Sequence, residues 1–536
     1  MKNLLRLPRL YALCGLLLLG SCQSLDLIPE NTFTDASYWT STDKALTFLN
    51  TAYSQLYSAN AFFYNEALSD NAWARDQDII AIATGTYDPS QGRIQGEWDG
   101  RYAGIKTCNL FLANVDRVGD MDEALRERTK AEARFIRAWQ HFQLMTWFGD
   151  VPLLRSDPTI EEAQTLSRTP RGEVLAFIRS ELTDIIDILP TREEYGEQDR
   201  GRITRGAAMA VLARVDLYEG DWKSVATLTE RIMDGEAGGY SLFPDYAALF
   251  LPENEYSAED ILSLQYVPEF RMWVEYFDIA PLSAGARLNA LAPSQELVDS
   301  YRMRNGARIE AADSGYDEND PYTDRDPRLT ATVVYHNYEW EDLRGSHIIY
   351  IEPGSDPDEP IDEYAPGSST TPTGYYTRKY FDPTHQTALA SGLNLMLVRY
   401  ADVLLMHAEA KMELGELDAA VWNRTIRPLR ERAGFTDPAA LEFSGSDQAG
   451  LRQEVRNERR VELAMEGLRI FDIRRWRIAE EVLNGWLNGA RYGPSGTDDG
   501  YLRVQLRTFD PAKHYLWPIP RDERLINENL TQNPGW

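Results

Sequence analysis

The chain has 536 residues, 43% of them hydrophobic and 26% charged, so it can bury a sizeable core and its composition excludes wholesale disorder. Lys and Arg number 55 against 84 Asp and Glu; a net charge of −29 repels phosphate backbones and argues against nucleic acid or an anionic membrane surface as a partner. Three cysteines are too few for a disulfide framework.

In chain order, Lys2, Arg6 and Arg9 precede an apolar run at 10–20. The run falls short of the about 20 residues a spanning helix needs and has the proportions of a secretory signal. Leu19-Gly20-Ser21-Cys22 then resembles the lipobox of bacterial lipoproteins, with cleavage before Cys22 and lipid on its thiol. A plain signal peptide with an incidental cysteine is the alternative. On the lipobox reading, residues 1–21 are removed and Cys22 is the lipid anchor, a stable one if multiply acylated. Helical periodicity follows at 42–57, at 130–148 ending on Gly149 with Pro152 beyond, and at 171–189 stopped by Pro190. Segments 204–218 and 222–233 form a helical pair joined through Gly220; 399–414 and 417–432 form a second pair joined through Gly415. Ala213 and Ala408 each lie seven residues before those glycines, as in tetratricopeptide-like hairpins, although no strict 34-residue period runs through the chain. A last long helix is expected over 451–485. Between 240 and 394 the periodicity fades: 330–351 alternates as a β-ribbon would, and 352–374, rich in Pro, Asp, Ser and Thr, reads as a mobile surface loop. The expectation is a mostly α fold of tetratricopeptide-like hairpins with an irregular, loop-rich lobe carrying minor β-structure. An N-terminal helical region (22–235) and a C-terminal region (236–536) would form one compact unit.

Catalytic motifs are missing from the sequence: there is no Walker loop, Gly-x-Ser-x-Gly elbow or dinucleotide fingerprint. The six histidines are scattered and Cys108 has no cysteine nearby, which argues against a transition-metal site. Asp313, Asp317, Asn319, Asp320, Asp324 and Asp326 are dense enough in oxygen to suggest a structural calcium, but lack the EF-hand glycine and read better as a solvated acidic loop; no cofactor is expected. Glu458, Glu462 and Glu466 share one helix face, a pattern that could suggest glycosidase chemistry. One rigid helix cannot place two carboxylates on opposite sides of a sugar ring. Arg456, Arg459, Arg460 and Arg469 are interleaved at the spacing of ion-paired neighbours, so a structural role is expected.

An ordered set of segments resembles the SusD/RagB family of Bacteroidetes outer-membrane lipoproteins. Early come Thr32-Phe33-Thr34-Asp35 and Trp39, then Phe148-Gly149-Asp150-Val151-Pro152-Leu153, then Gly201-Arg202-Ile203-Thr204 with Leu212-Ala213-Arg214. Later come Arg325-Asp326-Pro327-Arg328-Leu329, Arg399-Tyr400-Ala401-Asp402 with Ala408-Glu409-Ala410, and Leu516-Trp517-Pro518-Ile519-Pro520. The strongest match is Arg456-Asn457-Glu458-Arg459-Arg460 with Glu462-Leu463 and Gly467-Leu468-Arg469. The resemblance implies a cell-surface, lipid-anchored protein that binds glycan without catalysis and delivers it to a SusC-like TonB-dependent transporter. A peptide-capturing lid of the RagB kind is the alternative; a glycosidase would need two opposed carboxylates, which the sequence does not offer.

The signature segments then specify scaffold, and ligand residues are sought outside them. Sugars lay their C–H faces on aromatic rings while amides and carboxylates take the hydroxyls. Asn71, Trp73, Arg75 and Asp76, after the first helices, form one candidate platform; Trp273 and Tyr276 form a second, and Trp340 beside Tyr338 a third. Trp98, Trp139, Trp147, Trp222, Trp422 and Trp476 have helical settings and are expected to pack. The acidic balance favours a neutral glycan over a uronate polymer.

Overall fold

The computed structural model of the protein describes residues 38–385 and 388–536. The principal elements begin with α1 (Thr42–Ser54), α2 (Ala59–Tyr64), β1 (Ala72–Ala74) and α3 (Gln77–Ala83). Five long helices follow: α4 (Gly92–Asn114), α5 (Glu123–Phe148), α6 (Arg171–Ile185), α7 (Arg205–Glu219) and α8 (Trp222–Met233). The middle carries β2 (Asp260–Leu264), β3 (Leu291–Pro293), α9 (Gln295–Ser300), α10 (Pro327–Thr332), β4 (Val333–Val334), β5 (Tyr338–Asp342), β6 (Gly345–Ile349) and β7 (Tyr376–Thr377). The last part adds β8 (Leu395–Arg399), α11 (Tyr400–Glu413), α12 (Ala419–Arg424), α13 (Ile426–Ala433), α14 (Gln448–Glu462), α15 (Arg469–Arg475), β9 (Gly485–Gly489) and β10 (Leu502–Arg507).

Helices α4, α5, α6, α7, α8, α11 and α14 pack each on the next, so the two expected hairpins belong to one array across which the chain runs twice. Helix α7 starts where Thr204 accepts the Ala207 N–H and ends on Gly220 in the left-handed region, as the capping chemistry requires. Its middle, Ala207 to Ala213, is fully sheathed by neighbours because small side chains let adjacent helices close in. All β-structure is two-stranded and antiparallel: β1 with β3, β2 with β8, β4 with β7, β5 with β6, and β9 with β10. Two of these pairs, β1 with β3 and β2 with β8, join segments more than a hundred residues apart, and so lash the irregular lobe to the helical array. Among the described residues no helix is long and apolar enough to cross a membrane.

Three expectations change. The helix expected over 417–432 breaks at Thr425, whose φ of −125° and ψ of −76° are not helical. Pro428 lacks the N–H that would reach the Arg424 carbonyl, so the interruption follows from proline chemistry. The helix expected over 451–485 is three pieces and a strand. Its first break lies at Met465 and Gly467, both with positive φ. Their N–H groups are received by the buried carboxylate of Glu66, at 3.1 and 2.9 Å. A Cβ on Gly467 would run into the Phe62 carbonyl oxygen, so the chain passes there only as glycine. The second half of the loop at 352–374 is packed, not free: Asp362, Thr370, Thr371 and Thr373 are buried, and the Ser369 carbonyl takes the Asn289 N–H at 2.8 Å.

The expected carboxylate–arginine pairing within the α14 face is also redrawn. Glu458, Glu462 and Glu466 are buried and charged-paired, but with side chains from other elements. Glu458 meets Arg328 (2.6 Å) and Arg430 (2.8 Å); Glu462 meets Arg328 (2.9 Å), Arg399 (2.7 Å) and Arg432; Glu466 meets Lys379 (2.7 Å) and Arg399 (2.8 Å). Arg459 turns the other way, to Asp402 (2.5 Å) and Asp472 (2.8 Å). Burial works to raise the Glu462 carboxyl, and three guanidiniums, Arg432, Arg399 and Arg328, override it and hold it well below the usual carboxylate range. These pairs span α10, β8, α11, α13, α14 and α15, so the signature residues weld distant parts of the chain together.

Candidate functional site

The segment that carries the first candidate platform is fixed from beneath. Asp70 binds Arg469 through two hydrogen bonds (2.8 and 3.0 Å) and Arg460 at 3.0 Å. Burial would raise its carboxyl; the guanidiniums of Arg460 and Arg469 outweigh burial and hold it well below the ordinary range. Asn71 is buried, donates to Glu66 Oε1 at 2.6 Å and accepts from Arg460 Nε at 2.8 Å. Arg507 donates to the carbonyls of Ser69 and Ala72. Asn71 is therefore part of the clamp and not a ligand-facing amide: its donor and acceptor are spent inside the protein.

Beyond the clamp the chain emerges. Trp73 is half-buried on β1, opposite Ala292 of β3, and the Arg75 guanidinium lies 5.7 Å from the centre of its ring. Arg75 itself is anchored, its Nε on the Asn289 carbonyl (3.2 Å) and its Nη2 on the Ser368 carbonyl (3.0 Å). Asp76 is exposed and caps α3, accepting the N–H groups of Asp78 and Ile79. A cleft of about 550 Å³ opens at Asp76, walled by Gln55, Tyr57, Asn60, Asp78 and Arg93. Two polar atoms in this wall, Gln55 Oε1 and Arg93 Nε, are buried yet have no hydrogen-bond partner among the described residues. Such groups are costly unless something pairs with them. The rim is acidic. Asp278 accepts from the Tyr64 hydroxyl at 2.7 Å, and burial, with Glu275 and Asp76 facing it, pushes its carboxyl up to about 6.

The tryptophans of the second and third platforms are core. Trp273 is 2% exposed, its indole N–H donates to the Leu393 carbonyl at 2.8 Å and its ring packs against Phe63. Trp340 is 0% exposed, bonded to Asp342 at 3.1 Å and set against Phe381. A ring sealed on both faces cannot receive a sugar, so neither serves as a platform. The backbone at Tyr276 opens a single helical turn, but its side chain falls outside the described set, as does Cys22 with the whole leader. Trp98, Trp139, Trp147 and Trp422 are buried as expected, while Trp222 and Trp476 are half-buried. The acidic residues at 313–326 do not converge: Asp317 bonds Asn319, Asp320 accepts from Thr323, and Asp326 is buried against Arg328. Among the described residues no group of three or more His, Cys, Asp or Glu is placed to hold a metal ion. Two exposed aromatics escaped the sequence reading: Phe270, 88% exposed on a tight turn, and Trp486, 43% exposed on β9 with the Arg503 guanidinium 5.5 Å from its ring. Trp486 follows directly on the helix expected over 451–485, in a segment given no reading; Phe270 neighbours the chosen Trp273, and only the turn at Val267–Arg271 shows which of the two points outward.

Residues 276–536 match the model described as the SusD family, and residues 25–217 match one described as starch-binding associating with outer membrane, a SusD-like model. The chain belongs to the SusD family. A SusD-like protein of Formosa agariphila is 27% identical, over 82% of this chain and 78% of its own. The starch-binding protein SusD of Bacteroides thetaiotaomicron is 23% identical over 89% and 85% of the two chains. Among solved structures, a SusD-like carbohydrate-binding protein from Bacteroides fragilis superposes with a TM-score of 0.84 at 29% identity, covering 92% of this chain and all of that one. The SusD-family motif around Arg460, Gly467 and Arg469 thus has a local task here: it supplies the clamp under Trp73.

Proposed function

We propose that this SusD-family protein captures a neutral glycan in the cleft beside Trp73 and passes it, chemically unaltered, to a SusC-like TonB-dependent transporter, while held at the outer-membrane surface by lipid on Cys22. The observation that carries the reading is the pair of unsatisfied polar atoms, on Gln55 (Oε1) and Arg93 (Nε), two residues of the wall of an open cleft that begins at Asp76, three residues along the chain from the half-buried Trp73. A polyhydroxylated ring offers both a donor for the amide oxygen and an acceptor for the guanidinium, and its C–H face suits the indole. Asp76 and Asp78 in the cleft wall, with Glu275 and Asp278 close to Asp76, disfavour uronates by like-charge repulsion. The carbohydrate-binding and starch-binding relatives support the ligand class. Non-catalytic capture fits the ion-paired state of Glu458, Glu462 and Glu466, each committed to cationic partners.

Affinity electrophoresis against a panel of neutral polysaccharides tests this. Retardation by at least one, weakened roughly tenfold or more by Trp73→Ala, with the glycan recovered at its original length, is expected. Equal retardation of the variant, or shortened glycan, contradicts it.

A further inference from the structure

A second pocket, of about 300 Å³, is lined in part by β2 and by Gln265 just after it. Three tyrosines wall it: Tyr195, Tyr240 and Tyr256. Each hydroxyl is already used within the protein, Tyr195 on the Ile203 carbonyl (2.9 Å), Tyr240 on Thr204 (3.0 Å) and Tyr256 on Gln265 Oε1 (2.6 Å). The rings are thereby fixed and present carbon, not oxygen, to the cavity. Tyr256 is held in this wall at a φ of +57°, a backbone conformation that side-chain-bearing residues rarely take.

Of the polar groups lining this space, Arg192, Arg202 and Gln265 are committed within the protein, while Arg200 and Asp260 keep hydrogen-bonding capacity. Arg200 is exposed, stacks over the Tyr256 ring at 5.0 Å and makes no ion pair or side-chain hydrogen bond among the described residues. Asp260 uses one carboxylate oxygen on the Ser263 hydroxyl (2.7 Å), leaving the other for a donor. Burial pushes this carboxyl up to about 6, against the Ser263 hydroxyl and the nearby Arg192 charge. A donor fork on one side, an acceptor on the other and fixed apolar rings between them describe the recognition of a neutral polyol ring. A uronate would meet Arg200 well but bring its charge against Asp260 and Glu197.

The two pockets are joined through one side chain. Arg271 donates from Nη1 to the carbonyl of Gln265, a wall residue of the second pocket, at 2.8 Å. From Nη2 it donates to the carbonyl of Ser54, a wall residue of the cleft, at 3.1 Å. Phe270, the most exposed large apolar side chain of the described chain, is the residue immediately before it. An aromatic ring left in water one residue from the side chain that links two polar pockets is accounted for if a ligand crosses it.

We propose that the pocket walled by Tyr195, Tyr240 and Tyr256 is a second saccharide site, taking one neutral sugar residue between Arg200 and Asp260, and that a single glycan chain spans it and the Trp73 cleft across Phe270. This rests on the glycan-capture reading of the cleft. Two linked sites raise the affinity of any ligand long enough to reach both, because the second contact becomes intramolecular.

Calorimetric titration with a length series of a neutral oligosaccharide that the wild type retains tests the proposal on the full soluble body. Affinity is expected to rise in a step at the length that first spans both pockets. Arg200→Ala and Tyr256→Gly are the variants of choice: the first removes an exposed, unpaired side chain, and the second puts glycine where the backbone already suits it. Each is expected to erase the step, weakening long chains roughly tenfold more than short ones, with unchanged melting temperature. Smooth length dependence that neither variant alters, while Trp73→Ala still weakens binding, overturns the second site and leaves the cleft reading standing. A uronate oligomer binding more tightly than its neutral counterpart, and losing that advantage in Arg200→Ala, overturns the neutral assignment. No binding by any neutral glycan of the panel overturns both readings.

Discussion

Trp73 and Trp273 carry the same side chain and similar sequence surroundings, yet differ in what their truncation removes. Trp73 leaves ring surface open beside an anchored guanidinium, so on the capture proposal Trp73→Ala removes a ligand contact at little cost in packing. Trp273 and Trp340 fill volume in the core and each satisfies its indole N–H internally. Trp273→Ala and Trp340→Ala are each expected to cost about 3–5 kcal/mol of stability, read as a lower urea midpoint in equilibrium unfolding. A variant of either that unfolds like the wild type would mean the ring is not core. Sequence alone could not separate these tryptophans, because burial of an aromatic in an aperiodic stretch depends on which distant segments cover it; Phe63 and Leu393, which cover Trp273, lie 210 residues before it and 120 after it. Asn71 shows the same limit. It read as a sugar-binding amide because its partners, Glu66 and Arg460, include one almost four hundred residues away.

At the scale of elements, what the sequence disclosed was the local part. Helices α5, α7, α8 and α11 fall within a residue or two of expectation at the ends where glycine or a capping threonine sets the boundary. The departure at the start of α5, which begins seven residues earlier, follows from the Asp122 cap. The break between α14 and α15 was illegible, since the helix-favouring pattern continues through it and the force that opens it comes from Glu66, in another part of the chain. Gly467 marks the point. Gly467→Ala is expected to destabilise by more than the about 1–2 kcal/mol that a left-handed backbone alone costs, because its Cβ also meets the Phe62 carbonyl. Thermal unfolding by calorimetry checks this; an unchanged melting temperature would show that the turn can relax. The variant should also bind glycan less well, since the same turn helps to hold Glu66 under β1.

Across the whole molecule, charge is distributed in two ways. Most of the net −29 is solvated surface, but a minority of carboxylates is buried on arginine. Asp70, Asp402 and Glu462 titrate below the usual range because guanidinium contacts outweigh burial. Their folded pKa is depressed, so the stability they contribute is complete above the unfolded carboxylate range and is lost as pH falls through and below it. Asp260 and Asp278, raised to about 6, have the opposite sign, and below pH ~4 both are protonated folded or unfolded, so they add no further slope there. Stability is therefore expected to fall steeply between about pH 4 and pH 2. Urea titrations at stepped pH read it directly, and a midpoint that holds steady across that interval would deny the buried pairs their weight. The tetratricopeptide-like character of the array was visible in the Ala–Gly spacing of its hairpins; the cross-chain ion pairs that close it were not, since each joins residues tens to hundreds of positions apart.

The strand bearing Trp73 is seated on Arg460, Gly467, Arg469 and Arg507, all from the final fifth of the polypeptide. A ribosome that has made the first two hundred residues has made the tryptophan but none of its foundations. Competence to seize cargo must arrive late in biosynthesis, and a fragment ending before Arg460 would carry every residue of the cleft wall without the means to hold them in place.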